Sequence, residues 1–108
     1  MAEQWKWGAV ETATKIRTGE ASCEGVVTAH LDRMAATNPA VNAVTVDLSE
    51  QALIDAAAAD EISAAGAATG VLHGVPVTIK ENVDVASQAT PNGLPALEAL
   101  AVSPTETI

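Results

Sequence analysis

Aromatic, basic and sulfur-containing residues are scarce in this sequence of 108 residues, and each scarcity excludes a class of protein. There is no Phe and no Tyr, and both tryptophans, Trp5 and Trp7, stand near the N-terminus. Alanine supplies much of the apolar content, and it buries little area compared with leucine or phenylalanine. We therefore expect one small domain of marginal stability, because a chain this short has room for a single core.

Basic residues number five against 14 acidic ones, which gives a net charge of −9. Without a basic patch the chain lacks the phosphate contacts on which nucleic-acid binding depends. An anionic membrane surface would repel it as well. The composition thus predicts neither a nucleic-acid nor a membrane partner, and the acidic balance favours solubility.

The single cysteine, Cys23, excludes a disulfide framework and a CxxC pair. His30 and His73 lie far apart in the sequence, and neither has a second ligand at metal spacing, so we predict no metal and no cofactor. No run of about 18 apolar residues appears. The N-terminus MAEQWKWGA does not have the basic-then-apolar order of a signal peptide. These features indicate a cytoplasmic protein.

Apolar residues at helical spacing predict a succession of helices in the first two thirds of the chain. The predicted helices span residues 7–17, 23–38 and about 50–65. Gly19 ends the first helix, and Ser22 and Ser49 are suited to cap the N-termini of the second and third. The second helix is expected to end at Asn38-Pro39, because the residue before a proline avoids helical dihedral angles.

Two short segments have the composition of β-strands. Apolar and polar residues alternate in 43–48, whereas 75–79 is rich in β-branched residues and carries Pro76, which suits the start of a strand or an edge. This order predicts an α/β fold in which N-terminal helices and short strands form an incomplete sheet. Because so few strands do not make an independent sheet, the organisation indicates the front of a larger domain.

Lys80 follows the second predicted strand and is the only basic residue after Arg33. The carboxyl end of a strand is where open α/β sheets usually build their sites. A catalytic lysine must be neutral part of the time, which requires burial or a cationic neighbour. The neighbours here are Glu81, Asn82 and Asp84, so local composition alone favours a solvated charge.

The segment from Leu72 to Val85, LHGVPVTIKENVDV, resembles the catalytic-lysine segment of the amidase-signature hydrolases. The resemblance covers about residues 7–95, and residues 96–108 form a divergent tail. It implies that residues 1–108 are a single truncated segment from the N-terminal part of such an enzyme, whose substrates are carboxylic amides.

The resemblance also implies roles for the residues of this segment. In the family a lysine at a strand end starts a proton relay, one serine in a cis peptide passes the proton on, and a second serine attacks the amide carbonyl. Lys80 would be the base of that relay. Glu81, Asn82 and Asp84 would bind substrate or shape the loop. The chemistry is sound, because a serine hydroxyl is a poor nucleophile until a positioned base removes its proton.

The glycine- and serine-rich stretch that supplies both serines in the family does not occur in this sequence. The serines present, none of them in a glycine-rich turn, are Ser22, Ser49, Ser63, Ser87 and Ser103. Ser87 also stands where the family commonly has glycine, which puts the local loop conformation in question because glycine reaches positive φ at little cost. We therefore expect the isolated chain to be inactive, with a small amide as its substrate only if missing segments complete the site.

A non-catalytic role is the alternative. An interaction protein derived from an amidase would cover its unfinished sheet edge by self-association or with a partner, and would form a defined homo-oligomer. In a further alternative, a separate chain supplies both serines. The oligomeric state discriminates between a stand-alone interaction protein and a remnant that orders only with its missing half.

The other polar and sulfur side chains are more easily explained by structural roles. Cys23 is expected to be an ordinary half-buried thiol, and His30 a residue at a helix surface. The Asp60-Glu61 pair fits a solvated helix face, and His73 is expected to shape a turn. Trp5 and Trp7 either contact a partner or pack on the first helix.

Overall fold

The computed structural model describes residues 3–91 and 93, and packing divides the chain into two units, residues 1–76 and 77–108. A short 3-10 helix, Gln4–Lys6, opens the first unit. The α-helices that follow are α1 (Ala9–Arg17), α2 (Cys23–Val41) and α3 (Ser49–Ala64). They lie close to the helices expected from the sequence. No helix in the described part of the chain is long and apolar enough to cross a bilayer.

At each end of the first helix, α1, a glycine takes part in the hydrogen bonds that satisfy the helix terminus. At its start the buried Thr12 donates its hydroxyl and its N–H to the carbonyl of Gly8, each at 2.9 Å. At its end Gly19 takes a φ of 80° and donates its N–H to the carbonyl of Ile16 at 3.1 Å. A positive φ at this place is why glycine makes an effective stop.

The second helix, α2, begins where the sequence predicts but ends later. Ser22 caps its start, since the Ser22 hydroxyl accepts the N–H of Gly25 at 2.9 Å. The predicted end at Asn38-Pro39 is wrong, because the helix continues through the proline and stops at Asn42, which takes the left-handed conformation with φ 50°. Pro39 is tolerated because it stands in the last turn, where its missing N–H removes a single helical hydrogen bond.

The expected strands, and with them the α/β class and the incomplete sheet, are wrong, because the described residues contain helices and no strand. In 43–48 the side chain of Asn38 pairs with the backbone of Val44. The Val44 N–H donates to Oδ1 at 2.9 Å, and its carbonyl accepts from Nδ2 at 3.0 Å. The amide of Asn38 thus satisfies the backbone groups that a neighbouring strand would otherwise bind.

The second expected strand, 75–79, is irregular chain that follows a turn over residues 71–74. The N–H of Val75 donates to the carbonyl of Leu72 at 3.0 Å, and Pro76 has no N–H to offer a neighbour. Alternating or β-branched composition is not enough to make a strand, since each strand needs a partner for its backbone groups.

The start of α3 is held by Asp47 rather than by the expected Ser49. Ser49 is the first helical residue, and the Asp47 carboxylate accepts both its hydroxyl and its N–H, the latter at 2.8 Å. The bond from the hydroxyl and then the bond from the N–H lower the pKa of Asp47.

Small side chains from all three α-helices form the core of the first unit. Its buried members are Ile16, Cys23, Val26, Val27 and Ala56. Trp7 and the alanines on the inner side of α3 pack around this cluster and remain partly exposed. The core is therefore thin, as the composition predicts, and side chains this small require the helices to approach closely.

Asp60 joins α3 to the N-terminal end of α2. Its Oδ1 accepts the N–H of Cys23 at 2.7 Å, and its Oδ2 accepts the N–H of Glu24 at 3.0 Å. Burial alone would raise the pKa of Asp60. The hydrogen bonds from the N–H groups of Glu24 and Cys23, a further hydrogen bond from the Cys23 thiol and the charge of His73 outweigh the effect of burial, so the pKa is lowered. The expectation of a solvated face is wrong for Asp60, whereas Glu61 is exposed.

Asp60→Ala should lower the free energy of unfolding by about 1–2 kcal/mol, because it leaves N–H groups at the start of α2 without an acceptor. Urea denaturation followed by circular dichroism measures the change. Glu61→Ala, one residue along the same helix, is the matched control and should have little effect. Equal losses for the two variants would contradict the capping role.

Candidate functional site

Lys80 lies in a turn of the second unit. Its carbonyl accepts the N–H of Val83 at 3.0 Å, and the turn so closed contains Glu81 and Asn82. The side chains of Lys80 and Asn82 are exposed, and Glu81 is half-buried. An exposed lysine is not in the water-excluded setting that a general base requires. The described residues therefore supply a candidate base without the surroundings that would activate it.

Asp84 shapes the loop that follows this turn. Its Oδ1 accepts the hydroxyl of Thr90 at 2.7 Å, and the N–H of Gln88 donates to the carbonyl of Val85 at 3.0 Å. Both bonds lie between residues 84 and 90 and fix the path of the chain there. The structure thus gives Asp84 a contact that fits a loop-shaping residue, while a role in substrate binding stays a prediction.

Ser87 stands at the point of this loop where the family resemblance leads one to expect glycine. Its φ is 65°, in the left-handed region. A residue with a side chain adopts that region at a cost of about 1–2 kcal/mol. The loop therefore keeps a conformation that glycine favours, although a serine occupies the position.

The serines are placed by contacts other than with the lysine. Among the described residues of the second unit, no hydrogen bond joins Lys80 to the hydroxyl of Ser87. Within the first unit, Ser22 and Ser49 serve helix starts. Ser103 and the tail 96–108 lie outside the described residues. Within the second unit, the described residues thus give Lys80 no serine partner.

Ser63 and His73 approach each other as a serine–histidine pair would. The Nε2 of His73 lies 2.9 Å from the hydroxyl of Ser63 and 3.0 Å from the carbonyl of Ala59. A carbonyl oxygen only accepts, so the Nε2 must carry a proton. A nitrogen that already carries its proton cannot take one from serine. The pair is therefore a structural tie between His73 and α3, in line with the expected turn-shaping role, and not a nucleophile with its base.

Gly74 brings the chain after His73 against the core. It has a φ of 80°, and a Cβ there would lie 2.5 Å from the Sγ of Cys23 and 2.8 Å from the Cδ1 of Ile16. A side chain at this position would therefore clash as well as strain the backbone. The chain at Gly74 thus lies against Cys23 and Ile16 in a contact that only glycine permits.

Cys23 is fully buried, at 0% exposure, rather than half-buried as expected. Burial first, then its hydrogen bond to Asp60 and that carboxylate's charge, raise the pKa of Cys23 to about 11. The thiolate is the nucleophilic form of cysteine, and these surroundings disfavour it. Cys23 is therefore a packing residue.

Both tryptophans pack on helices of their own unit. The guanidinium of Arg33, on α2, lies 4.2 Å from the Trp5 ring, and the Nζ of Lys15, on α1, lies 5.0 Å from the Trp7 ring.

The Nδ1 of His30 lies 2.8 Å from the carbonyl of Val26, one turn earlier in α2. In the part of the chain that the structure describes, no three His, Cys, Asp or Glu residues come together as metal ligands would.

Comparison with known proteins finds one family and several relatives that match most of the chain. The family model named Amidase matches residues 25–105. The chain is 56% identical over 92 residues to indoleacetamide hydrolase of Bradyrhizobium diazoefficiens, covering 85% of this chain and 18% of that protein. It is 42% identical over 90 residues to a glutamyl-tRNA(Gln) amidotransferase polypeptide of Acidothermus cellulolyticus, covering 83% of this chain and 18% of that protein.

A solved structure shares the same architecture. It comes from work on a vestigial protein complex that reveals the evolutionary origins of an s-triazine catabolic enzyme, and it matches with a TM-score of 0.87 at 27% identity. The match covers 93% of this chain and 22% of that one. The chain thus spans about a fifth of the length of the relatives that it matches.

The native protein should resist thiol labelling. At about pH 8, a disulfide reagent should modify Cys23 on the order of 100-fold more slowly in the folded chain than in denaturant, because the raised pKa leaves little thiolate. A chain carrying Cys23→Ala with Glu24→Cys, which moves the thiol to an exposed neighbouring position, is the control and should react rapidly when folded. Rapid labelling of native Cys23 would contradict its burial.

Proposed function

This chain belongs to the amidase family, and from that premise we propose that Lys80 is the base of an amidase proton relay. On this proposal residues 1–108 are an N-terminal segment of the catalytic domain. The reaction class is hydrolysis of the C–N bond of a carboxylic amide, which consumes water and releases a carboxylic acid with ammonia or an amine. The observation that carries the proposal is the Lys80 motif within a chain 56% identical to a named amide hydrolase.

As a base, Lys80 would have to be covered by other parts of the site. The Lys80–Val83 turn and the Asp84–Thr90 bond define the loop, and the lysine side chain extends into solvent. Desolvation favours the neutral amine that a base must be. Lys80 therefore needs a cover that the described residues do not supply, and residues elsewhere in an amidase domain would provide it.

We further propose that the 108 residues do not hydrolyse amides by themselves. The described serines serve helix starts, tie His73 to α3 or occupy a strained loop position. The one cysteine is buried with its pKa raised to about 11. A hydroxyl or thiol without an adjacent base is a weak nucleophile, so the acyl-transfer step lacks its attacking group.

A chimera tests the role of Lys80 in a complete enzyme. The 92 residues of the Bradyrhizobium indoleacetamide hydrolase that match this chain are replaced by the corresponding residues of this chain. The chimera should hydrolyse indoleacetamide, and Lys80→Ala should lower kcat/KM by about 100-fold or more, the usual contribution of a general base. Ammonia release measures the rate.

Arg17→Ala is the matched control, since it also removes one positive charge but at an exposed position at the end of α1, and its activity should stay close to that of the chimera. A folded chimera that keeps full activity with Lys80→Ala would contradict the proposed role.

A further inference from the structure

The loop that follows Lys80 turns back on its own beginning. Its first turn is closed where the carbonyl of Lys80 accepts the N–H of Val83 at 3.0 Å. Further along, Gly93 lies beside this turn, because a Cβ at Gly93 would be 3.6 Å from the Oε1 of Glu81. The surroundings of Lys80 therefore include residues from the far end of the loop as well as its neighbours in sequence.

The side chain of Thr90 links the returning chain to the Lys80 turn. Its hydroxyl donates to the Oδ1 of Asp84 at 2.7 Å, across six residues of chain. Asp84 directly follows Val83, the residue whose N–H closes the turn. A hydrogen bond from a hydroxyl to a carboxylate is stronger than one between neutral groups. The Thr90 hydroxyl thus acts on the turn through a strong contact one residue from its end.

The segment that this bond closes contains a residue in an unfavourable conformation. Ser87, between Asp84 and Thr90, has a φ of 65°. A residue with a side chain keeps such a conformation only where surrounding contacts fix it. The bond from Thr90 to Asp84 is one contact of this kind. Without it, residues 84–90 would be free to relax, and the turn attached to Asp84 would lose part of its support.

We propose that Thr90 is a positioning residue for Lys80 and that its hydroxyl, through Asp84, fixes the turn from which the lysine reaches the reacting groups. A base must lie within hydrogen-bond reach of the proton that it takes. A displacement of about 1 Å in such a group can cost on the order of 100-fold in rate. The proposal rests on the proposed function, since it takes Lys80 to be the base.

The test removes the hydroxyl of Thr90 in the chimera with the Bradyrhizobium enzyme. Thr90→Val keeps the branched shape of the side chain but cannot donate to Asp84. It should lower kcat by about 10-fold and change KM by less than about twofold, because positioning of a base affects the transition state rather than substrate binding. Thr90→Ser is the matched control, since it keeps the hydroxyl, and its kcat should stay close to that of the chimera.

A double-mutant cycle separates positioning of Lys80 from a general effect on the fold. In a chimera that already carries Lys80→Ala, Thr90→Val should lower the remaining rate by less than about twofold, because there is no base left to position. This rate is measured with about 100-fold more enzyme, which offsets the loss of the base. An equal fall in kcat with and without Lys80 would overturn the proposal, since Thr90 would then have a purely structural role.

Asp84→Asn is a second variant that does not alter Thr90. Its amide oxygen still accepts the hydroxyl of Thr90, but more weakly than a carboxylate does. We expect its kcat to fall between that of the chimera and that of Thr90→Val, with KM little changed. If Thr90→Val does not fold, Asp84→Asn decides the question, and full kcat in a folded Asp84→Asn chimera would overturn the proposal.

Failure of this proposal and failure of the proposed function give different results. If Lys80→Ala kept full activity, the proposed function would fail and Thr90 would have no base to position. If Lys80→Ala removed activity while Thr90→Val kept full kcat, the positioning role alone would fail.

Discussion

The carboxylate of Asp60 is the contact on which the first unit depends. It reaches from α3 to the N-terminal end of α2, where it accepts the N–H groups of Cys23 and Glu24 at 2.7 and 3.0 Å. Helix starts expose unpaired N–H groups and a partial positive charge, so a carboxylate there satisfies hydrogen bonds and electrostatics together. This protein has no Phe or Tyr, and its core consists of small side chains. The hydrogen bonds of Asp60 therefore add to the stability that this core provides.

The surrounding contacts converge on the same place. The Cys23 thiol donates a hydrogen bond to the Asp60 carboxylate, and Gly74 approaches the Cys23 sulfur so closely that a Cβ would clash. The neighbouring His73 binds the carbonyl of Ala59, one residue before Asp60. The helix pair and the chain at His73 and Gly74 therefore share one junction. A change at Asp60 or Gly74 should therefore disturb this junction.

Local signals in the sequence predict the helices well and the rest of the fold poorly. Helical spacing, the Ser22 cap and the Gly19 stop act within a few residues, and each appears in the structure. The strand predictions fail because a strand depends on a distant partner, and Asn38 takes that place for Val44. The role of Asp60 escapes sequence reasoning for the same reason, since its hydrogen bonds cross 36 and 37 residues of chain.

In the candidate site, too, the sequence indicates the local motif but not the contacts with distant residues. The motif around Lys80 is sufficient to indicate the amidase family, which the comparisons confirm. The role of Lys80 could not be derived from its neighbours, because an activated lysine depends on groups that bury it and on a nucleophile beside it. A local motif carries no information about the geometry of such groups.

In our interpretation this chain holds the base of an amidase site without its nucleophile. The decisive experiment is an assay of ammonia release from a panel of small carboxamides, indoleacetamide among them, by the purified 108-residue chain beside its Lys80→Ala variant. We expect no release above that of the variant. Release that disappears with Lys80→Ala would contradict this interpretation, and would mean that a hydroxyl within this chain, with Ser87 the first candidate, completes the site.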